Sequence, residues 1–110
     1  VRVTGDTCEQ IELPGVPLGS FFGVTYDEVT LPLANDDVFV FCSDGVTEAM
    51  TREGDEFGAE RLLEVVRRTR HETAREIVQA IAGAVDDYRA GFPSNDDTTI
   101  VALRISQLSV

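Results

Sequence analysis

The sequence predicts an α+β fold: antiparallel β-sheets with a helix pair packed on one face. Short apolar or alternating runs fill the first half of the chain and recur once near its end. Between them lie two segments whose apolar residues fall three and four apart, the period of a helix with one buried face. Clusters of Gly, Pro and Asn-Asp separate the runs. Several strands, two helices and a last strand, in that order, make a sheet with helices laid on it.

The elements follow in sequence. Val1 to Thr4 and Cys8 to Leu13 form two short strands, joined at Gly5-Asp6 by a tight turn in which glycine supplies the positive φ of a II′ hairpin. Pro14 to Gly19, PGVPLG, is loop, and Phe21-Phe22 between two glycines plugs the core. Val24 to Leu31 alternates as a strand. Asn35-Asp36-Asp37 turns the chain into Val38–Cys42, apolar at every position and so expected to be central and covered on both faces. A short helical turn follows Gly45. From Phe57 to Arg70, Leu62, Leu63, Val65 and Val66 mark an apolar stripe, with Glu60 early and arginines late to suit the helix dipole and Glu64 placed to pair with Arg68. Thr73 and Glu76 spell a capping box that opens a second helix, buried through Ala74, Ile77, Val78, Ile81, Ala82, Val85 and Tyr88 and stopped by Gly91 and Pro93. Asp96 to Ile105 is the final strand, rich in β-branched residues at its start.

Length and charge limit the function classes. At 110 residues with 43% hydrophobic content the chain is one domain or part of one. It carries 20 acidic against 9 basic residues, a net charge of −11, and every base is arginine. That balance argues against a nucleic-acid partner, which needs a basic stripe to displace counterions. No apolar run approaches the roughly 20 residues that cross a bilayer, so no membrane role is expected. Cys8 and Cys42 fit no zinc spacing. Cys42, inside an apolar strand, is expected as a small buried hydrophobe in a reducing, cytoplasmic setting.

Two acidic motifs remain. Asp44-Gly45 is a strong signal for a hairpin turn, but a hairpin needs a second strand at once, and Val46-Thr47-Glu48-Ala49-Met50 does not supply one. Asn95-Asp96-Asp97-Thr98 reads as a solvated loop whose side chains cap a turn. Yet Asp44 and Asp96 both stand at ends of apolar strands. If those strands are neighbours with suitable direction, the carboxylates converge at one sheet edge, where acidic oxygens without His or Cys suit Mg²⁺ or Mn²⁺. Metal ligation would require the two side chains within about 5 Å of each other. His71, the only histidine, belongs to a polar connection and reads as a surface residue. Arg67, Arg68, Arg70 and Arg75 complete a helix dipole or form a basic patch facing a phosphoprotein. Ser20, Ser43 and Ser94 have no His–Asp arrangement around them, and no phosphate-cradling glycine loop occurs.

GVPLG at Gly15–Gly19, VFVFCSDGVTEAM at Val38–Met50, FGAERL at Phe57–Leu62 and NDDTTIVALRI at Asn95–Ile105 together resemble the carboxy-terminal part of SpoIIE/RsbU-type serine/threonine phosphatases. These bacterial enzymes belong to the metal-dependent PPM, or type 2C, superfamily. The resemblance runs from about Val1 to Ile105, and it is the pairing of S-D-G-V-T-E-A with a later D-D-x-T that makes it specific. It implies an α-β-β-α sandwich, of which residues 1–110 would form the carboxy-terminal portion. It implies that Asp44 and Asp96 bind metal and are the catalytic residues, with Asp97 beside them as a further ligand or support. It also implies two Mn²⁺ or Mg²⁺ ions in the complete domain. The reaction would be hydrolysis of phosphoserine or phosphothreonine in a protein substrate by a metal-activated water. The expected substrate is a phosphorylated anti-sigma antagonist in sigma factor regulation.

The family's amino-terminal half, with an Asp-Gly-x-Gly-type metal motif and a further acid, has no counterpart before Val1, so the chain is expected to be one piece of a longer enzyme with little activity alone. The alternative is a non-catalytic phosphoprotein-binding or regulatory module on a degenerate phosphatase fold. If the sheets are incomplete, an exposed apolar face favours a homodimer.

Overall fold

The computed structural model describes residues 1–11, 30–93 and 97–106. The PGVPLG loop, Phe21-Phe22 and most of the expected Val24–Leu31 strand lie outside these residues. Strands β1 (Arg2–Thr4) and β2 (Thr7–Glu9) pair antiparallel through a two-residue turn in which Gly5 has φ 57°. Only the first of the two central residues needs a positive φ, as a II′ turn requires. Strand β3 (Val38–Cys42) lies between β1 and the last strand, β4 (Ile100–Arg104), giving a four-stranded antiparallel sheet ordered β2-β1-β3-β4.

Asp37 sets the start of β3. The chain reverses at Asn35-Asp36, where Asp36 takes φ 70°, and the Asp37 amide donates to the Ala34 carbonyl at 3.2 Å. The Asp37 carboxylate is only 1% exposed and accepts from the Ala34 amide at 2.9 Å, with an Arg2 Nη2 at 3.8 Å. Its main-chain carbonyl accepts from Ile105 at 2.8 Å. A residue that reads in the sequence as part of an exposed turn is therefore a buried acid that closes the turn with its own side chain.

Three helices follow the sheet centre. Helix α1 (Asp44–Thr47) is one turn long; α2 (Gly58–Thr69) and α3 (Ala74–Arg89) are the two long ones. The capping box forms as expected: the Glu76 amide donates to Thr73 Oγ1 at 3.1 Å. The stop falls one residue before Gly91, at Ala90, which adopts the left-handed conformation with φ 49°. The expected Glu64–Arg68 pair is replaced by Glu64–Arg67 at 3.2 Å, one turn position earlier. Arg104 of β4 donates to the carbonyls of Arg70 at 2.7 Å and Glu72 at 3.2 Å, satisfying main-chain acceptors at the end of α2. Phe57 meets the Tyr88 ring edge-to-face at 5.5 Å, and the Arg61 guanidinium stacks 4.5 Å over Tyr88, tying the entry of α2 to the end of α3.

The core lies between the helices and one face of the sheet. Val3, Val38 and Val40 point into it from the strands, meeting Val46, Phe57, Leu62, Val65, Val66, Ile77, Ile81 and Val85. Ala82, expected on the buried face of α3, is exposed. Strand β3 is central in the sheet, but it is covered on one face only among the described residues. On the other face Phe41 is 60% exposed, and its cross-strand partner Val101 is 52% exposed, beside Leu103 at 50%. The apolar composition of β3 thus reports two faces with different surroundings. No helix among the described residues is long and apolar enough to cross a membrane.

Candidate functional site

The register of β3 with β4 decides what meets at the sheet edge. Cys42 faces Ile100, so the residues after β3 and those before β4 leave the sheet side by side. The ladder continues one step beyond the strands: the Ser43 amide donates to the Thr99 carbonyl at 3.0 Å. The reciprocal bond takes another form, because the Ser43 carbonyl has turned toward α1 and accepts from the Val46 amide at 3.1 Å. The Ser43 hydroxyl fills the vacated place, accepting from the Thr99 amide at 2.9 Å and donating to the Asp97 carbonyl at 3.2 Å.

Gly45 lets the two turns approach. It is buried in α1, and a methyl group built on its Cα would overlap the carbonyl of Asp97 and press on Thr98 Oγ1. Glycine is required here by close backbone approach, with no demand for a positive φ. Asp44 therefore stands between a residue bonded to the 97–99 segment and a residue packed on it. Its side chain is exposed at the first turn of α1, and that of Asp97 is exposed across from it.

Of the three acids expected at this edge, Asp44 and Asp97 are described, and their main-chain segments are in contact. Asp96, and with it the separation of the Asp44 and Asp96 carboxylates, lies outside the described residues. Among the described residues no group of three or more His, Cys, Asp or Glu side chains is close enough to hold a metal ion. The donors described at the edge nonetheless fit a hard divalent cation in kind: the exposed acidic oxygens of Asp44 and Asp97. A cavity of about 520 Å³ adjoins the same edge, lined by Arg2, Ile11, Phe39, Phe41, Cys42 and Asp44 among others, and its walls are mainly apolar.

Ser43 and Gly45 carry no metal-binding chemistry of their own, and sequence reasoning passes over them. The available signal was a hydroxyl residue at a strand-to-helix junction, where Ser is favoured as an N-cap. Ser43 is the N-cap of α1 but makes no capping bond with its side chain, which reaches across to the neighbouring segment instead. His71 is exposed in the connection between α2 and α3. Arg67 and Arg70 are engaged with Glu64 and Asp6, while Arg68 and Arg75 are exposed. Both cysteines are free and half-buried, and burial is the main cause that pushes each thiol above its ordinary pKa.

A search of curated proteins finds no match. Among solved structures, the chain resembles the SiaA-PP2C domain of Pseudomonas aeruginosa, with a TM-score of 0.64 and 28% sequence identity over 72% of this chain. The match takes in 32% of that structure's chain, so this sequence corresponds to about a third of its solved relative. The family model of Stage II sporulation protein E (SpoIIE) matches residues 1–106, nearly the whole of the sequence. With the S-D-G turn and the Asp97–Thr99 segment brought to one sheet edge on an α+β fold shared with a PP2C domain, the chain belongs to the SpoIIE family.

Proposed function

We propose that this chain forms the carboxy-terminal portion of a PPM-type catalytic domain that hydrolyses phosphoserine or phosphothreonine in a protein substrate. Its share of the metal site is Asp44, Asp96 and Asp97. The observation that carries the reading is the contact between the two acid-bearing segments. Gly45 lies against the Asp97 carbonyl, and the Ser43 hydroxyl bridges the carbonyl of Asp97 and the amide of Thr99. Family membership and the likeness to a PP2C domain support the chemistry.

When bound, Mn²⁺ or Mg²⁺ supplies a water of lowered pKa and shields the charge on the phosphoryl oxygens. The chain's own part is to hold hard oxygen donors at a fixed edge and to keep side-chain nucleophiles out of the reaction. The Ser43 hydroxyl donates to the Asp97 carbonyl and accepts from the Thr99 amide, so it is held as a structural group. The exposed face bearing Phe41, Val101 and Leu103 supports the view that a second sheet completes the domain. The phosphorylated anti-sigma antagonist is the substrate class this reading favours, in a bacterial regulatory setting.

Thermal unfolding of this chain and hydrolysis of a phosphoserine peptide by the complete catalytic domain, each with and without Mn²⁺, test the assignment in the parent and its Asp44→Asn variant. Mn²⁺ is expected to support turnover and to raise the melting temperature, since a ligand that binds only the folded state stabilises by about 2.7 kcal/mol at a hundred times its dissociation constant. Asp44→Asn is expected to remove both effects. Equal hydrolysis by the variant would defeat the assignment.

A further inference from the structure

We propose that Ser43 is a positioning residue for the metal site, acting through its hydroxyl to fix the spacing between the Asp44 turn and the Asp97 segment. The proposal rests on the ligand reading of Asp44 and Asp97 given above. Its geometry is independent of any ion. At the point where β3 becomes α1, one main-chain carbonyl cannot serve both elements. The Ser43 carbonyl goes to the helix, accepting from Val46, and the Thr99 amide would be left without its ladder partner. An unmade main-chain bond at such a junction lets the neighbouring segment drift, because nothing else holds that amide in line.

The hydroxyl solves this by working in both directions. It accepts from Thr99 at 2.9 Å and donates to the Asp97 carbonyl at 3.2 Å, so it grips the opposite segment on both sides of Thr98. Asp44 follows Ser43 directly, and Asp97 owns the carbonyl that is gripped. Any slack in this bridge therefore becomes a change in the separation of the acids. Groups that orient ligands in this way influence affinity strongly, by about 10- to 100-fold on removal. A serine or threonine can make both bonds; alanine can make neither.

The test compares the full chain with Ser43→Ala, Ser43→Thr and Asp44→Asn. Mn²⁺ affinity is measured from the paramagnetic broadening of amide signals during titration. Exchange of the Thr99 amide with solvent reports the bridge itself in the absence of metal. Ser43→Ala is expected to speed Thr99 exchange and to weaken Mn²⁺ binding by about 10- to 100-fold. Ser43→Thr is expected to restore both. In phosphopeptide hydrolysis by the complete catalytic domain the alanine variant should need more Mn²⁺ and recover its turnover once enough is supplied, whereas Asp44→Asn should not recover. If Ser43→Ala leaves Mn²⁺ affinity unchanged while Asp44→Asn abolishes binding, the positioning role is overturned and the ligand assignment stands. If Asp44→Asn binds Mn²⁺ as the parent does, the ligand assignment falls and takes the positioning role with it. Failure of threonine to restore affinity while it restores Thr99 protection would also overturn the proposal, since the hydroxyl bridge would then be present without the effect assigned to it.

Discussion

Replacing Gly45 by alanine sets a methyl group against the carbonyl of Asp97, with Thr98 Oγ1 close on one side. The Thr98 hydroxyl can rotate aside, but the Asp97 carbonyl is main chain and cannot swing away. The 97–98 backbone has to move, and the Ser43 hydroxyl loses its hold on Asp97 and Thr99. Two hydrogen bonds at about 1 kcal/mol each, together with about 1–3 kcal/mol for forcing an extra methyl into a packed contact, oppose the variant. Alanine's better helix propensity in α1 returns up to about 1 kcal/mol. The expected net loss is about 2–5 kcal/mol, or roughly 8–20 °C in melting temperature for a chain of this size. Gly83 supplies the control, because it lies in α3 with nothing within 4 Å of the place a methyl group would take. Gly83→Ala is expected to leave the melting temperature unchanged or to raise it by a few degrees, as the same propensity term acts without a clash. Thermal unfolding followed by circular dichroism measures both. A Gly45→Ala variant that melts with the parent would mean that the two segments do not touch as described.

Asp37 and the thiols give further tests. Asp37→Ala removes the acceptor of the Ala34 amide and strips Arg2 of a nearby buried carboxylate; a loss of about 2–4 kcal/mol is expected in urea unfolding, against about 1 kcal/mol for Asp36→Ala, which is exposed but places alanine in the left-handed conformation at φ 70°. Because burial raises the pKa of both Cys8 and Cys42 in the folded chain, the neutral thiols contribute stability that is whole below the unfolded thiol value of about 8.5 and is lost as pH rises through the folded values. Melting temperature should therefore fall more steeply above pH 9 in the parent than in a Cys8→Ala/Cys42→Ala variant, and an identical pH profile for the two would contradict the assignment.

Residues that speak through periodicity were legible in the sequence. The stripe of α2, the capping box at Thr73 and the apolar letters of β3 and β4 each depend on neighbours a few positions away, and each formed within a few residues of its expected bounds. Asp37 was not legible, because three polar letters in a row do not say which one turns inward. Its carboxylate bonds the nearby Ala34 amide, but Arg2 beside that carboxylate and Ile105 on its carbonyl are both distant in sequence. The open face of β3 was hidden for a related reason: Phe39 and Phe41 are as apolar as Val38 and Val40, and composition does not distinguish a face covered by helices from one that is not. At the candidate site, motif and resemblance single out the acids proposed as ligands. They do not single out Ser43, since its role arises only once β3 and β4 lie side by side and its own carbonyl has been diverted into α1.

The Cys42–Ile100 pairing gives the valines of β3 an influence beyond the interior they fill. Side chains alternate along a strand, so sliding β3 by a single position against β4 would expel Val38 and Val40 into water. The same slide would carry Ser43 past Thr99 and shift Asp44 along the edge. Burial of two oily residues thus acts as a vernier for the proposed acidic site at the far end of the strand. Sequence change deep in the interior can detune that site without altering any residue in it.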